Sequence, residues 1–169
     1  PESPELLTDP LPEYITSNIL IDGDQAYVWD QHFVKLHVLD ISNPTEPSLL
    51  GTMDWEGIEI FLHRIRMRPM AIFDDYLYVF ANNGTFIIDV SDPTEPNLAN
   101  HVAEPFAWIV FNCKIIDTYL YTAGIVIIDG DTHHLGVWDL ADPLEPELIY
   151  SAEEFNYRDH NSSRYSVFY

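Results

Sequence analysis

The sequence has 169 residues, 47% of them hydrophobic and 14% aromatic, so the chain can bury a core and is not of the disordered class. Its 28 Asp and Glu residues outnumber seven Lys and Arg and give a formal net charge of −21, which repels nucleic acid and anionic membrane surfaces. No apolar run approaches the ~20 residues that cross a bilayer, so we expect neither nucleic-acid binding nor membrane insertion.

The first part of the chain predicts β-strands. Residues 1–7 match residues 44–50 and 143–149, which indicates that the sequence begins in the middle of a repeat. Four runs rich in Ile, Val, Leu, Tyr and Trp follow, at residues 14–22, 25–30, 33–42 and 48–53. In runs such as 26–29 the apolar residues are consecutive, which is typical of strands buried on both faces.

The same pattern recurs twice with a period of roughly fifty residues. Residues 38–47, 87–96 and 137–146 align without gaps, and so do residues 24–28, 75–79 and 118–122. The predicted repeats are 14–53, 63–102 and 109–152, with the end of a preceding blade at 1–9 and the start of a following one at 157–169. A β-sandwich does not explain this period. We therefore predict an all-β fold: an incomplete β-propeller with blades of four antiparallel strands, about three blades plus partial blades at both ends.

The repeated motif carries a family resemblance. Its core, Ile87-Ile88-Asp89 in the second copy, is followed by Ser91-Asp92-Pro93-Thr94-Glu95-Pro96, and this pattern resembles the LVIVD repeat. The third copy departs from the pattern at Trp138 and Leu144 and contains an insertion. The resemblance implies a propeller of a secreted or cell-surface protein, and it implies no particular reaction.

An aspartate occupies the same position in each copy: Asp40, Asp89 and Asp139. One interpretation is a ring of carboxylates that binds a cation. The other is that each aspartate accepts hydrogen bonds from nearby backbone N–H groups and fixes the turn after its strand. Recurrence in every repeat favours the second.

Length variation lies elsewhere. From the repeat tyrosine to the repeat aspartate the distance is 13 residues (27 to 40), 11 (78 to 89) and 18 (121 to 139), so the third repeat has an insertion around 129–134. A second insertion lies within 54–68. In a four-stranded antiparallel blade both insertions fall at the same end, here called the variable-loop end. The opposite end, here called the turn end, has short and nearly uniform turns. Because binding residues concentrate on variable loops held by a rigid scaffold, we expect the site at the variable-loop end.

The candidate ligand-binding residues at that end are aromatic and polar side chains in or near the predicted loops: Trp55, Glu56, Trp108, Tyr157, Asp159 and His160. Aromatic rings beside carboxylates suit carbohydrate stacking or contact with a protein. The aromatic rings can instead turn inward and seal the blade junctions, and both interpretations are open.

The candidate metal ligands are Asp129, Asp131, His133 and His134. His and Asp together can hold a transition metal, and Asp-Gly-Asp is similar to calcium loops, although the glutamate of the twelve-residue calcium pattern is absent. Adjacent residues of a strand point to opposite sides, which separates His133 from His134. The alternative is a solvated hairpin tip, and no other cofactor is predicted.

Taken together, the sequence predicts a non-catalytic binding or scaffolding segment of an extracellular or cell-surface protein, with a protein or carbohydrate partner. The alternative is part of a propeller hydrolase or lyase whose site near the axis is completed by further blades. No Gly-x-Ser-x-Gly, phosphate-binding loop, His-Glu-x-x-His or dinucleotide motif occurs. Apolar blade faces left uncovered would favour self-association.

Overall fold

The structure is a computed structural model, and it describes residues 16–30, 35–54, 68–81, 84–102, 107–128 and 131–152. These residues form twelve strands in three separate four-stranded antiparallel sheets. Blade 1 contains β1 (Thr16–Asp22), β2 (Gln25–Asp30), β3 (Lys35–Asp40) and β4 (Ser48–Asp54). Blade 2 contains β5 (Arg68–Phe73), β6 (Tyr76–Ala81), β7 (Gly84–Asp89) and β8 (Asn97–Val102). Blade 3 contains β9 (Ala107–Ile116), β10 (Tyr119–Ile128), β11 (Asp131–Asp139) and β12 (Glu147–Ala152).

In every sheet the strands follow chain order, so consecutive strands are hydrogen-bonded neighbours. The predicted all-β fold of incomplete propeller blades is confirmed. In the part of the chain that the structure describes, no helix is long and apolar enough to span a membrane.

The core lies between the blades because each central strand has two apolar faces. In β2, Tyr27 and Trp29 pack towards blade 2, whereas in β6 Leu77 and Val79 pack back towards them. Tyr78 and Phe80, which alternate with Leu77 and Val79 along β6, pack on the other face of the sheet towards blade 3. Consecutive apolar positions thus divide between two junctions, as expected for strands that are covered on both sides.

Each blade therefore has two distinct faces. The forward face meets the next blade along the chain and carries the repeat tyrosine, Tyr27 in blade 1 and Tyr78 in blade 2. The backward face meets the preceding blade and carries Leu77 in blade 2 and Leu120 in blade 3. Full burial of an apolar side chain contributes about 1.5–3 kcal/mol. Burial between stacked blades thus contributes to the stability of the described part of the chain.

Candidate functional site

At the turn end of the blades, the repeated aspartates accept hydrogen bonds from backbone N–H groups of their own turns. The Asp40 carboxylate accepts a 2.8 Å bond from the Ser42 N–H, Asp89 accepts a 2.9 Å bond from the Ser91 N–H, and Asp139 accepts a 2.9 Å bond from the Ala141 N–H. The interpretation in which the repeated aspartates fix the turns is confirmed.

These bonds also set the charge state of the turns. The hydroxyl and the backbone N–H of Ser42 lower the pKa of Asp40, and those of Ser91 lower the pKa of Asp89. Hydrogen bonds from the Thr94 hydroxyl and N–H lower the pKa of Asp92 in the same way. Hydrogen bonding to the ionised form accounts for the direction of all three shifts. The low pKa values reflect turn structure and give no reason to assign acid–base chemistry here.

The turns between the first two strands of each blade are equally uniform. Gly23, Asp74 and Asp117 occupy the same repeat position and all have a positive φ, between 50° and 55°. Glycine adopts this conformation without a steric penalty, and aspartate is among the few other residue types enriched in it. One turn geometry is thus kept in all three blades, so the turn end offers little variation from which a specific site could be built.

The proline-rich turns between the third and fourth strands dock on the preceding blade. The Tyr78 hydroxyl of blade 2 donates a 2.8 Å hydrogen bond to the carbonyl O of Pro143 in blade 3. Asn100 of β8 donates through Nδ2 to the carbonyl O of Leu144, also at 2.8 Å. Gly51 occupies the position of Asn100 in blade 1, and a Cβ on it would lie 2.7 Å from the carbonyl O of Thr94. The turn of one blade is therefore a contact surface for its neighbour.

A hollow of about 290 Å³ lies beside the junction between blades 1 and 2. Its lining includes Asp22, Asp24, Asp74 and Asp75 together with Tyr27. Burial raises the pKa of the Tyr27 hydroxyl, and the carboxylates of Asp22 and Asp75 raise it further. The tyrosine thus keeps its proton, and its hydroxyl donates a 2.6 Å hydrogen bond to Oε1 of Gln25.

At the variable-loop end the three blades differ. Measured from the same repeat position, β2 and β6 extend for six residues and β10 extends for ten. The matching strands β9 and β11 are lengthened as well, to ten and nine residues. The extra length consists of residues 107–110 of β9, 125–128 of β10 and 131–133 of β11; together with the adjoining Gly124 and His134, these residues are here called the blade 3 extension. At about 3.3 Å per residue, four further residues carry the sheet roughly 13 Å beyond the corresponding strands of blades 1 and 2.

The predicted insertion around 129–134 therefore has a different form from the loop that was expected. Ile128 pairs with Asp131, so most of the extra residues lengthen two paired strands. Trp108, which was also expected near a loop, lies on β9 opposite Val126. Val126 in turn lies opposite His133. The backbone positions of Trp108 and His133 thus lie in one row across three strands. From the sequence, these two residues had been assigned to separate predicted segments.

Four of the ten candidate site residues thus fall within the blade 3 extension: Trp108, Asp131, His133 and His134. The other six lie outside the described residues: Trp55, Glu56, Asp129, Tyr157, Asp159 and His160. The roles assigned to all ten stay predictions.

The two adjacent histidines have different environments. His133 is buried, with 6% of its surface exposed, and its Nδ1 has no hydrogen-bond partner among the described residues. His134 is exposed, and its Nδ1 donates to the carbonyl O of Gly124 at 3.2 Å. This contrast agrees with side chains on opposite sides of one strand. Within the described residues, no group of three or more His, Cys, Asp and Glu side chains is placed to hold a metal ion.

Cys113 lies on the backward face of blade 3. Its Sγ is 3.6 Å from the carbonyl O of Met70 in blade 2, and burial raises the pKa of the thiol to about 12. Because the thiolate is the nucleophilic form, this cysteine is unsuited to covalent chemistry at neutral pH. Cys113 therefore contributes to the junction between blades 2 and 3.

The sequence predicted uncovered apolar blade faces but did not identify their residues, and a group of exposed apolar side chains lies on the forward face of blade 3. Tyr119, Ile149 and Tyr150 are exposed there, together with Ile116. The positional match of Tyr119 to Tyr76 and of Tyr150 to Asn100, both at a blade junction, was the signal that could have identified this surface.

Comparison with known proteins matches part of the chain to a repeat family. Residues 15–54 and 68–104 match the family model described as LVIVD repeat. The two matched segments correspond to blades 1 and 2, and blade 3 with its extension lies outside them. A search of curated proteins found no match.

Proposed function

Because this chain carries LVIVD repeats folded as propeller-like blades, we propose that it is a non-catalytic binding or scaffolding segment of a secreted or cell-surface protein. Its partner is a protein or a glycan, and contact is made through the variable-loop end of the blades.

The blade 3 extension is the observation that carries this proposal. Blades 1 and 2 keep strands of six or seven residues, whereas β9, β10 and β11 lengthen together at the variable-loop end. A three-stranded extension is a rigid platform, because β10 is hydrogen-bonded on both sides. Rigid elements that project from a repetitive scaffold can present side chains to a partner at a low entropic cost.

The net charge of −21 favours a partner with a cationic surface. The excess of 28 acidic over seven basic residues creates a negative potential that attracts cationic surfaces and repels polyanions. The turn end is less suited to recognition, since its aspartates accept bonds from their own turns and its proline-rich loops contact neighbouring blades. Of the two ends of the blades, the variable-loop end is thus the better suited to bind a partner.

The glycan partner is tested by applying the purified chain to an immobilised glycan array. Trp108→Ala and His134→Ala alter the blade 3 extension, and Thr45→Ala alters an exposed position at the turn end as the matched control. We expect the two extension variants to lose signal at least tenfold and the control to keep it. Equal loss in all three variants, or signal that none of them changes, would place binding elsewhere.

The protein partner is tested by site-specific photo-crosslinking on cells of the source organism. A photoreactive residue at position 131 samples the extension, and one at position 45 samples the turn end. The proposal expects one discrete adduct from position 131 and none from position 45. Adducts formed only from position 45 would contradict it.

The alternative of a propeller enzyme is tested on the same preparations with a panel of chromogenic ester and glycoside substrates. Turnover would overturn the non-catalytic assignment if substitution of a carboxylate near the propeller axis abolished it.

The cell-surface location is tested by treating intact cells with a protease. Cleavage of the chain without cell lysis is expected, and complete protection would argue against the surface.

A further inference from the structure

A groove runs along the junction between blades 2 and 3 on the side of their fourth strands. The first strands of neighbouring blades contact one another, β1 with β5 and β5 with β9, so the fourth strands form the outer side of the described blades. One wall of the groove is formed by residues 100–102 of β8, and the other by residues 144–147 of the blade 3 proline-rich turn and β12. The groove has a volume of about 490 Å³, within the range of about 300–1,000 Å³ that is typical of ligand-binding clefts.

The Asn100 side chain lies between the two walls. Its Nδ2 donates to the carbonyl O of Leu144 at 2.8 Å, and its Oδ1 accepts a 2.8 Å hydrogen bond from the N–H of His101. In blade 1 the same position is Gly51, where a Cβ would lie 2.7 Å from the carbonyl O of Thr94. The turn of blade 2 thus packs directly on the backbone of β4, whereas a hydrogen-bonded side chain separates the turn of blade 3 from β8. Asn100 is therefore a spacer that only the second of these junctions has.

The chemistry of the groove also departs from the repeat. Leu144 stands at the position of Thr94 and adds an apolar side chain to the turn. Glu147 stands at the position of Asn97 and adds a second carboxylate to that of Glu145. Both glutamates are exposed, and among the described residues no Lys or Arg lines the groove. The groove therefore combines negative charge with an apolar wall.

This combination matches the side chain of arginine or lysine. Such a side chain packs its apolar stem on a hydrophobic surface while its charged head stays in water or meets a carboxylate. Val102, Leu144 and Pro146 are half-buried and provide the surface for the stem. Glu145 and Glu147 provide carboxylates for the head, and a guanidinium can form two parallel hydrogen bonds with one carboxylate.

The edge of β8 is not suited to adding a strand at this point. The N–H of His101 is already bonded to the Asn100 side chain. The register between β7 and β8 shifts between Ile87 and Ile88, which leaves Ala99 as an extra residue in β8. Bulges of this kind interrupt pairing at the edge of a sheet. A ligand in the groove is therefore held through its side chains.

We propose that this groove binds a basic peptide segment of a partner protein. The stem of an arginine or lysine packs on Val102, Leu144 and Pro146, and its charged head contacts Glu145 or Glu147. The net charge of −21 attracts such a segment towards the protein. The groove is separate from the binding function proposed at the variable-loop end, and neither depends on the other.

Fluorescence anisotropy of the full chain with a fluorescein-labelled hexapeptide, in which arginine alternates with serine, measures binding. Glu145→Gln combined with Glu147→Gln removes both carboxylates of the groove, and we expect the affinity to fall about five- to tenfold. Glu46→Gln combined with Glu95→Gln is the matched control, because it removes the same charge at exposed turn positions of blades 1 and 2. The control should keep its affinity within about twofold, since exposed charges outside the contact act only through the screened overall field. Equal weakening in the two double variants would overturn the proposal, because overall charge would then account for binding.

A second peptide tests the apolar wall. Diaminopropionate in place of arginine keeps the positive charge but lacks the stem, so we expect binding at least about threefold weaker. Equal affinity of the two peptides would exclude stem packing. Spermine that competes as strongly as the arginine peptide would assign the groove to free polycations.

Photo-crosslinking locates the bound peptide. A benzophenone group at one end of the arginine peptide should form adducts within residues 97–102 or 144–150, identified by mass spectrometry after digestion. Adducts confined to other parts of the chain would overturn the assignment to this groove.

Discussion

Replacing Tyr78 with phenylalanine removes one hydroxyl from the junction between blades 2 and 3 and leaves the ring in place. The Tyr78 side chain is fully buried, and its hydroxyl donates a 2.8 Å bond to the carbonyl O of Pro143. A typical intramolecular hydrogen bond contributes about 0.5–1.5 kcal/mol, and leaving a buried partner unsatisfied costs about 1–3 kcal/mol. Because Pro143 is only half-buried, water can partly replace the lost donor. We therefore expect a loss of about 1–2 kcal/mol in the free energy of unfolding, or roughly 2–8 °C in Tm for a chain of this size.

Tyr27→Phe is the matched control. Tyr27 occupies the same repeat position and is equally buried, but its hydroxyl donates to Gln25 of the same blade. The Gln25 side chain is half-buried and can turn towards water, so we expect a loss below about 0.5 kcal/mol. Urea unfolding monitored by tryptophan fluorescence gives both values. Equal losses for the two variants, or no loss for Tyr78→Phe, would refute the assignment of the Pro143 bond as a stabilising link between blades.

The stability difference between the wild-type chain and Tyr78→Phe should also depend on pH. Burial raises the pKa of Tyr78 above its ordinary value of 10.0, and the carboxylate of Asp74 acts in the same direction. A group whose pKa is raised by folding contributes stability that is complete below its unfolded pKa and is lost as pH rises above it. The wild-type chain should therefore lose stability above about pH 10 more steeply than Tyr78→Phe.

The remaining predictions concern other parts of the blades. Gly51→Ala should lower the free energy of unfolding by about 1–3 kcal/mol in urea titrations, because its Cβ would press on the carbonyl oxygens of Pro93 and Thr94; an unchanged midpoint would show that the junction can relax. The Asp89 pKa is lowered by the Ser91 hydroxyl and N–H, so the stabilisation that it provides is present above its ordinary pKa of 3.8 and is lost as pH falls through the lowered value. The stability difference between the wild-type chain and Asp89→Asn should consequently shrink between about pH 5 and pH 2 in thermal melts, and a constant difference would contradict this origin. The Cys113 thiol, whose pKa burial raises to about 12, should react with a disulfide reagent at pH 8 only as fast as the chain unfolds; rapid labelling of the native chain would show that the junction opens locally.

Much of the fold could be predicted because the repeats carry redundant information. Runs such as 26–29 are apolar at consecutive positions, and the structure buries both of their faces. Turn residues at Gly23 and Asp74 mark strand ends because positive φ is needed there. Three copies of each signal place the elements with little ambiguity, and the predicted strand at 25–30 coincides with β2.

The form of the candidate site could not be predicted in the same way. The insertion in the third repeat was evident from spacing, but spacing does not show whether extra residues loop out or lengthen a hairpin. That choice depends on cross-strand pairing, here of Val126 with both Trp108 and His133. Cross-strand pairing depends on tertiary structure. The apolar run 125–128 can pair along that side only because β9 is lengthened to lie beside it.

The linked proline-rich turns also affect how the blades unfold. Tyr78 and Asn100 connect blade 2 to the turn of blade 3, and a Gly51 contact connects blade 1 to the turn of blade 2. Opening one blade therefore removes contacts from its neighbours, which makes stability a chain of nearest-neighbour couplings. Blade 2 is coupled on both sides, so its central strands β6 and β7 should hold the amide protons that exchange most slowly with solvent, and fraying should start from the outer blades.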